Sequence, residues 1–229
     1  MGRWSLARLA VIAYQRAMHR SFSVRATWLL GLCASWLLLP TAAPAAAEVR
    51  PIPPPGIAIP DEDRDALTLE AARLRLELDQ LDVALQGRPA QLELLPDVEI
   101  FHKAVDWALR FDEFYATNQV AIARELLAQG RERAEWLRQG LAPWTKATGL
   151  VVRGYRSRID GSVQPYGLVV PDSFGAMPTL PHRLDFWFHG RGEKLTELDF
   201  IHQRNRSRGE FAPPGAFVLH PYGRYCNAN

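Results

Sequence analysis

The stretch LDFWFHGRGEKLTELDF, residues 184–200, decides the fold. It opens with the apolar, strand-like run LDFWF and continues into a turn with two glycines at residues 189–192. It ends in a helix-like segment whose apolar residues Leu195, Leu198 and Ile201 are three positions apart. Backbone N–H groups at a turn that begins a helix often bind an anion. The stretch therefore predicts an anion-binding turn between a strand and a helix.

The flanking sequence predicts an α/β sheet around this turn. Upstream, the strand-like runs LVVRGYRSRI and SVQPYGLVVP enclose the turn residues Asp160 and Gly161, a pattern typical of a hairpin. Pro165 predicts that the second of these strands lies at an edge or is bulged. Downstream, Ala216–Pro221 is a further apolar strand. An antiparallel hairpin followed by strand, helix and strand is the expected opening of an α/β sheet.

Residues 61–140 predict an all-helical N-terminal module. Helices are expected over residues 61–86, 97–116 and 118–139. The first has a heptad seam, with apolar residues alternately four and three positions apart: Leu67, Ala71, Leu74, Leu78, Leu81 and Leu85. The seam fits a helix packed on its own domain, and it also fits a coiled coil with a protein partner.

The first 60 residues have the composition of an export signal followed by a tether. Residues 1–47 contain five arginines and no acid, and an apolar run at 26–39 leads to the cleavage-type triplet Ala45, Ala46 and Ala47. These features predict a signal peptide cleaved near Ala47 and a secreted or periplasmic protein. An uncleaved membrane anchor is the alternative, and either Met1 or Met18 can be the start. Residues 48–60 form a proline-rich linker.

Charge and cysteine content exclude several classes of function. After the signal the chain has 22 basic and 25 acidic side chains, which argues against nucleic-acid binding. Cys33 leaves with the signal, so Cys226 is packed or pairs outside this chain. Three histidines, His189, His202 and His220, lie among acids, but no HExxH or close Cys/His spacing supports a metal site. Glycine-rich cofactor loops are absent from the sequence, so no cofactor or metal is expected.

The turn itself, His189-Gly190-Arg191-Gly192, has the pattern of an oxyanion loop. In acyl transfer the transition state places negative charge on the former carbonyl oxygen, and each fixed backbone N–H stabilises it by about 3 kcal/mol. An H-G-x-G turn after the third strand is where α/β-hydrolases place such donors. The alternative is an ordinary strand-to-helix turn with His189 packed in the core.

Three segments, QPYGLVVPDSF, LDFWFHGRGEKLTELDFI and FVLHPYGRYCNAN, resemble the front of the catalytic domain in secreted bacterial prolyl-oligopeptidase-type serine hydrolases. LLPDVEIFHKAVDWALRFDEFY resembles the segment before that domain. The resemblance implies that residues 150–229 belong to an α/β-hydrolase domain acting on peptide or ester bonds through a Ser-Asp-His triad. It assigns His189, Gly190, Arg191 and Gly192 to the oxyanion loop, and more loosely Tyr222 and Arg224 to substrate binding.

The chain departs from this family at the nucleophile. No G-x-S-x-G occurs in the sequence, and no serine after the linker lies at a strand–turn–helix elbow: Ser157, Ser162, Ser173 and Ser207. We therefore expect the N-terminal portion of an exported serine hydrolase, without activity by itself. The alternative is a non-catalytic protein of the cell envelope whose helices bind a protein partner.

Overall fold

The computed structural model describes residues 53–176, 179 and 181–223, all within one compact unit formed by residues 48–229. The predicted signal peptide, Arg224 and Cys226 lie outside the described residues. None of the described helices is both long enough and apolar enough to cross a membrane.

Six helices and four strands make up the described chain. The helices are α1 (Asp61–Leu85), α2 (Pro89–Leu92), α3 (Pro96–Arg110), α4 (Gln119–Arg138), α5 (Asp172–Ala176) and α6 (Glu197–Arg204). The strands are β1 (Gly149–Arg156), β2 (Val163–Val170), β3 (Arg183–Phe186) and β4 (Ala216–Pro221). A short 3-10 helix, Pro143–Thr145, follows α4. Helices with a small mixed sheet make this an α/β protein.

The heptad seam of α1 is buried inside the protein. All six of its apolar residues are nearly inaccessible, and α1 packs against α3 and α4. The seam is therefore occupied by the protein's own helices, as one of the two interpretations of the sequence expected. A different set of apolar side chains, Leu69, Leu76 and Val83, points outward from α1 at intervals of seven residues and is more than half exposed.

Helix α3 ends at Arg110, six residues earlier than the sequence predicts. Asp112 adopts a positive φ of 55°, which breaks the helical path. Arg64 of α1 stabilises this turn, since one guanidinium nitrogen donates to the Leu109 carbonyl at 3.0 Å and another to Asp112 at 2.5 Å. The end of α3 is thus set by a residue 45 positions away rather than by local periodicity.

The strands form one sheet in the order β1-β2-β4-β3. Strands β1 and β2 are antiparallel, β2 and β4 are antiparallel, and β3 and β4 are parallel neighbours joined through α6. This confirms the predicted hairpin followed by strand, helix and strand.

The prediction that Pro165 marks an edge strand is wrong, because β2 lies between β1 and β4. The β2–β4 ladder runs only as far as the pair Tyr166 and Pro221. Pro165 lies just beyond it, and its carbonyl accepts from Tyr222 N at 3.3 Å on that side. Pro165 thus lies at the end of this ladder, where its missing N–H removes one hydrogen bond and leaves the pairs from Tyr166 to Val169 intact.

Helices α3 and α6 cover one face of the sheet. The backbone of α3 comes so close to β1 that a Cβ built on Gly154 would lie 2.1 Å from the Pro96 carbonyl oxygen. On the same face, Arg204 of α6 packs its aliphatic stem over Gly167 of β2. The helices and the sheet therefore share one hydrophobic core.

The opposite face is covered in part by α5, where the Phe174 ring meets Phe217 of β4 at 5.1 Å. Further along this face, near the edge formed by β3, three apolar side chains stay exposed. Along the chain they alternate with polar residues and with Trp187. Leu184, Phe186 and Phe188 are 48%, 55% and 76% exposed. Among the described strands none pairs with the outer edge of β3.

A buried carboxylate, Asp97 at the start of α3, joins the helices to the sheet. It accepts hydrogen bonds from Trp144 Nε1 at 2.8 Å and from Gly154 N of β1 at 2.7 Å. It also pairs with Arg153 of β1, whose Nη2 lies 2.9 Å away. Next to it, the Arg133 guanidinium donates to the Asp97 carbonyl at 3.0 Å. Burial lowers the pKa of Arg133 to about 10, so Arg133 remains a cation at neutral pH.

Candidate functional site

The predicted oxyanion loop lies where the sequence places it, between β3 and α6. Strand pairing extends to Trp187, whose N–H donates to the Leu219 carbonyl at 2.9 Å. Thr196 begins α6 by accepting a hydrogen bond from Asp199 N at 3.3 Å. The loop follows the carboxyl end of β3, which is parallel to its neighbour β4. At this edge of parallel strands α/β proteins place their ligand sites.

Within the loop, the ring of His189 lies against the Gly190 carbonyl, with 2.9 Å between Nδ1 and the oxygen. The centre of the His189 ring is 5.9 Å from the centre of the Phe200 ring. Among the described residues, none accepts a hydrogen bond from the backbone N–H of Arg191 or Gly192. These two donors are therefore available to an oxygen atom of a ligand.

The two glycines of the loop differ in their surroundings. A Cβ on Gly192 would lie 2.9 Å from the Leu195 Cβ, whereas a Cβ on Gly190 would meet no atom within 4 Å. Glycine is thus required at position 192 because the loop passes so close to Leu195. Gly190 offers a position at which a methyl group can be added without displacing the loop.

Tyr222, predicted to contact substrate, lies in the core at the end of β4. Its hydroxyl donates to the Leu195 carbonyl at 3.0 Å, and its ring centre is 5.2 Å from that of Phe200. These contacts make Tyr222 a support for the end of the turn at residues 189–192, and its contact with a substrate stays a prediction. The other predicted substrate residue, Arg224, lies outside the described residues.

A serine–histidine contact occurs elsewhere, where sequence reasoning did not look for one. The Ser173 hydroxyl of α5 lies 3.2 Å from His182 Nε2. His182 comes just before β3 and His189 follows it, so a four-residue strand, roughly 13 Å long, separates them along the chain. Ser173 is therefore at the wrong end of the strand to act with the oxyanion loop.

A pocket of about 290 Å³ opens beside the oxyanion loop. Its walls are Trp187 and His189 from the loop, Phe200 and Arg204 from α6, and His220 from β4. The sequence drew attention to His220 only as a weak metal candidate. In the part of the chain that the structure describes, no three His, Cys, Asp or Glu side chains converge as a metal site would require.

A buried acid, Glu197, begins α6 directly after the loop. It pairs with Lys103 of α3 at 2.5 Å, and the same Nζ donates to the Val163 carbonyl at 2.7 Å. Burial raises the pKa of Glu197 to about 7, although Lys103 acts in the opposite direction. The Glu197 side chain is almost fully buried, so its carboxyl group is not accessible to a substrate. Its pairing with Lys103 holds α6 against α3. The two residues are 94 positions apart, so no local pattern predicts the pair.

Comparisons with protein-family models, with curated proteins and with solved structures find no match to this chain.

Proposed function

We propose that this chain contributes the oxyanion loop and the first four strands of an exported serine hydrolase of the α/β-hydrolase type. The observation that carries the proposal is the position of the loop: an H-G-R-G turn directly follows the third strand and leads into the crossover helix α6. In α/β-hydrolases the loop after the third strand supplies one of the oxyanion donors. The available N–H groups of Arg191 and Gly192 suit that task.

The exposed side of β3 supports the same proposal. Leu184 and Phe186 are about half exposed on a strand whose outer backbone edge has no partner among the described strands. A flat apolar edge of this kind is a surface on which a further strand pairs. In the proposed enzyme that strand would precede the G-x-S-x-G turn, and the nucleophile would lie on polypeptide outside the present sequence.

The proposed reaction is hydrolysis of a peptide or ester bond through an acyl-serine intermediate. The serine oxygen attacks the carbonyl carbon, and the carbonyl oxygen becomes an anion held by the N–H groups of Arg191 and Gly192. As this intermediate collapses, the C–N or C–O bond breaks, and the triad histidine gives the proton it took from the serine to the departing amine or alcohol. Water then attacks the acyl-serine ester, which releases the carboxylic acid and restores the serine hydroxyl. With no nucleophile elbow in this sequence, the chain by itself is expected to have no hydrolase activity.

The genomic sequence after the codon for Asn229 tests the proposal. We expect the reading frame to continue through a further strand into G-x-S-x-G. The product, exported and cleaved near Ala47, should react at that serine with a fluorophosphonate probe. A stop codon directly after Asn229 would contradict the proposal, and so would probe labelling of Ser173 in the present chain.

A glycine inside the loop and a glycine outside it supply a matched pair of variants in the longer product. Gly192→Ala should reduce kcat on an activated ester by about 100-fold, because the added methyl displaces the donor loop. Gly87→Ala, in the turn after α1, should retain activity within about threefold, because its methyl meets open space far from the loop in sequence. Equal effects of the two substitutions would argue against an oxyanion role for this loop.

A second candidate function is helix-mediated binding of a cell-envelope protein. It is favoured by the stripe Leu69, Leu76 and Val83, which repeats every seven residues on the outer side of α1. Capture from an envelope extract, compared between the unmodified chain and Leu76→Glu, tests it. Loss of one captured protein in the variant would support docking at this stripe, and identical captures would exclude it.

A further inference from the structure

The pocket beside α6 contains a buried hydrogen-bond donor that has no acceptor in the described part of the chain. His220 is 2% exposed, and its Nδ1 lies 3.2 Å from Arg204 Nη1. A guanidinium group can only donate, so Nδ1 accepts this hydrogen bond. In the neutral ring the proton must then be on Nε2, and Nε2 has no hydrogen-bond partner among the described residues.

The surroundings keep His220 neutral at physiological pH. Burial lowers its pKa to about 4, and the positive charge of Arg204 and the nearby His189 act in the same direction. The backbone carbonyl of Arg208 opposes them in part, without reaching hydrogen-bond geometry with Nε2. A neutral ring with its proton on Nε2 is therefore the form of His220 that lines the pocket at neutral pH. Such a donor has lost its hydrogen bond to water without gaining another, and a ligand that supplies an acceptor removes this cost.

Arg204 adds a positive charge to the pocket, and its guanidinium group has few hydrogen-bond acceptors among the described residues. Its stem is held over Gly167, and its guanidinium donates to His220. No described carboxylate forms an ion pair with it, in contrast to Arg206 two residues later, which pairs with Glu125 at 2.9 Å. The pocket thus places a fixed cation beside an unpaired N–H donor, a combination that matches a carboxylate.

Aromatic rings form another part of the wall. Trp187 is stacked on Phe211 with 5.7 Å between ring centres, and Phe200 is fixed by His189 and Tyr222. The volume of about 290 Å³ suits a molecule with one ring. The acid of the lining, Glu210, is exposed, so solvent and salt screen its repulsion of an anion.

We propose that this pocket binds a small carboxylate with an aromatic or apolar body, whose carboxylate meets His220 Nε2 and the Arg204 guanidinium while the body lies between Trp187 and Phe200. The proposal does not depend on the hydrolase relationship, since binding requires neither a nucleophile nor the oxyanion donors.

Calorimetric titration of the full chain with benzoate at pH 7 tests the proposal, with benzyl alcohol as a neutral ligand of similar size. Benzoate should bind at least tenfold more tightly than benzyl alcohol. Arg204→Gln should raise the Kd of benzoate at least tenfold. The control Arg208→Gln removes the same charge from a neighbouring loop outside the pocket and should change Kd less than twofold. Equal binding of the two ligands, or equal effects of the two variants, would overturn the proposal.

A second measurement on the unmodified chain keeps the test valid if Arg204→Gln fails to fold. The pKa of His220 is followed by NMR through its ring Cε1–H signal, with and without benzoate. A bound carboxylate favours the imidazolium, so saturating benzoate should raise this pKa by at least one unit. An unchanged titration curve at saturating benzoate would contradict contact between the carboxylate and His220.

Discussion

Substitution of Asp97 by asparagine should be among the most damaging isosteric changes in this protein. The side chain is 1% exposed and keeps its volume in the variant, so no cavity forms. One carboxylate oxygen accepts from Gly154 N, and the other accepts from Trp144 Nε1. Whichever way the new amide is oriented, its NH₂ group faces one of these two buried N–H donors. Arg153 loses its anionic partner as well.

The expected loss can be worked out from these contacts. One buried donor without an acceptor costs about 1–3 kcal/mol. Removing one partner from a buried ion pair costs about 3–5 kcal/mol. The Arg153 side chain is 23% exposed, so water compensates part of that second cost. We expect Asp97→Asn to lower the free energy of unfolding by about 3 kcal/mol.

Urea denaturation followed by far-UV circular dichroism measures this loss, with Asp106→Asn as the control. Asp106 is on the same helix and pairs at 2.8 Å with Arg110, whose side chain is largely exposed. Breaking such a surface pair should cost at most about 0.5 kcal/mol. The slope of the transition should stay unchanged if both variants unfold in two states. A loss below about 1 kcal/mol for Asp97→Asn would refute the view that this carboxylate joins α3 to the sheet.

Three further predictions concern stability and can be measured by the same denaturation assay. The folded state holds the Glu197 proton up to about pH 7 and the unfolded state only to about pH 4.5, so the stabilisation from this group is complete below pH 4.5 and is lost as pH rises through 7. Glu197→Gln should weaken that decline, and parallel curves of unfolding free energy against pH for the two proteins would contradict this. Gly154→Ala should lower the free energy of unfolding by about 3 kcal/mol or more because its methyl meets the backbone of α3, whereas Gly87→Ala, in open space, should be nearly neutral. Equal effects of the two substitutions would exclude the close approach of α3 to β1. Leu78→Ala should lower the free energy of unfolding by about 3 kcal/mol, and Val83→Ala, at an exposed position, should lower it by less than about 0.5 kcal/mol. The reverse order would mean that α1 buries its other face.

Local patterns predicted the elements that depend on neighbouring residues. The seam of α1 is buried as its spacing indicates, and β4 has the predicted bounds, Ala216–Pro221. The Asp-Gly turn and the strand-turn-helix order around residues 189–192 also appear as expected. Apolar periodicity and turn chemistry act over a few residues, so one sequence is enough to read them.

The errors arose where distant residues decide the outcome. Pro165 lies in a central strand and ends the ladder with β4 there, because β2 pairs with strands on both sides. Helix α3 ends early because Arg64 stabilises the turn at Asp112. The chemistry of the pocket was missed for a similar reason, since His220 and Arg204 belong to different elements and meet only after α6 crosses from β3 to β4.

The sequence by itself determined an α/β protein with an H-G-R-G turn between its third strand and the following helix. Hydrophobic spacing and glycine positions act locally and survive any arrangement of the elements. The tertiary structure alone decided that Asp97 joins the helices to the sheet across 56 positions and that the buried His220 donor meets no acceptor among the described residues. Burial and hydrogen-bond pairing are properties of the packed chain, because they depend on which distant groups exclude water from one another.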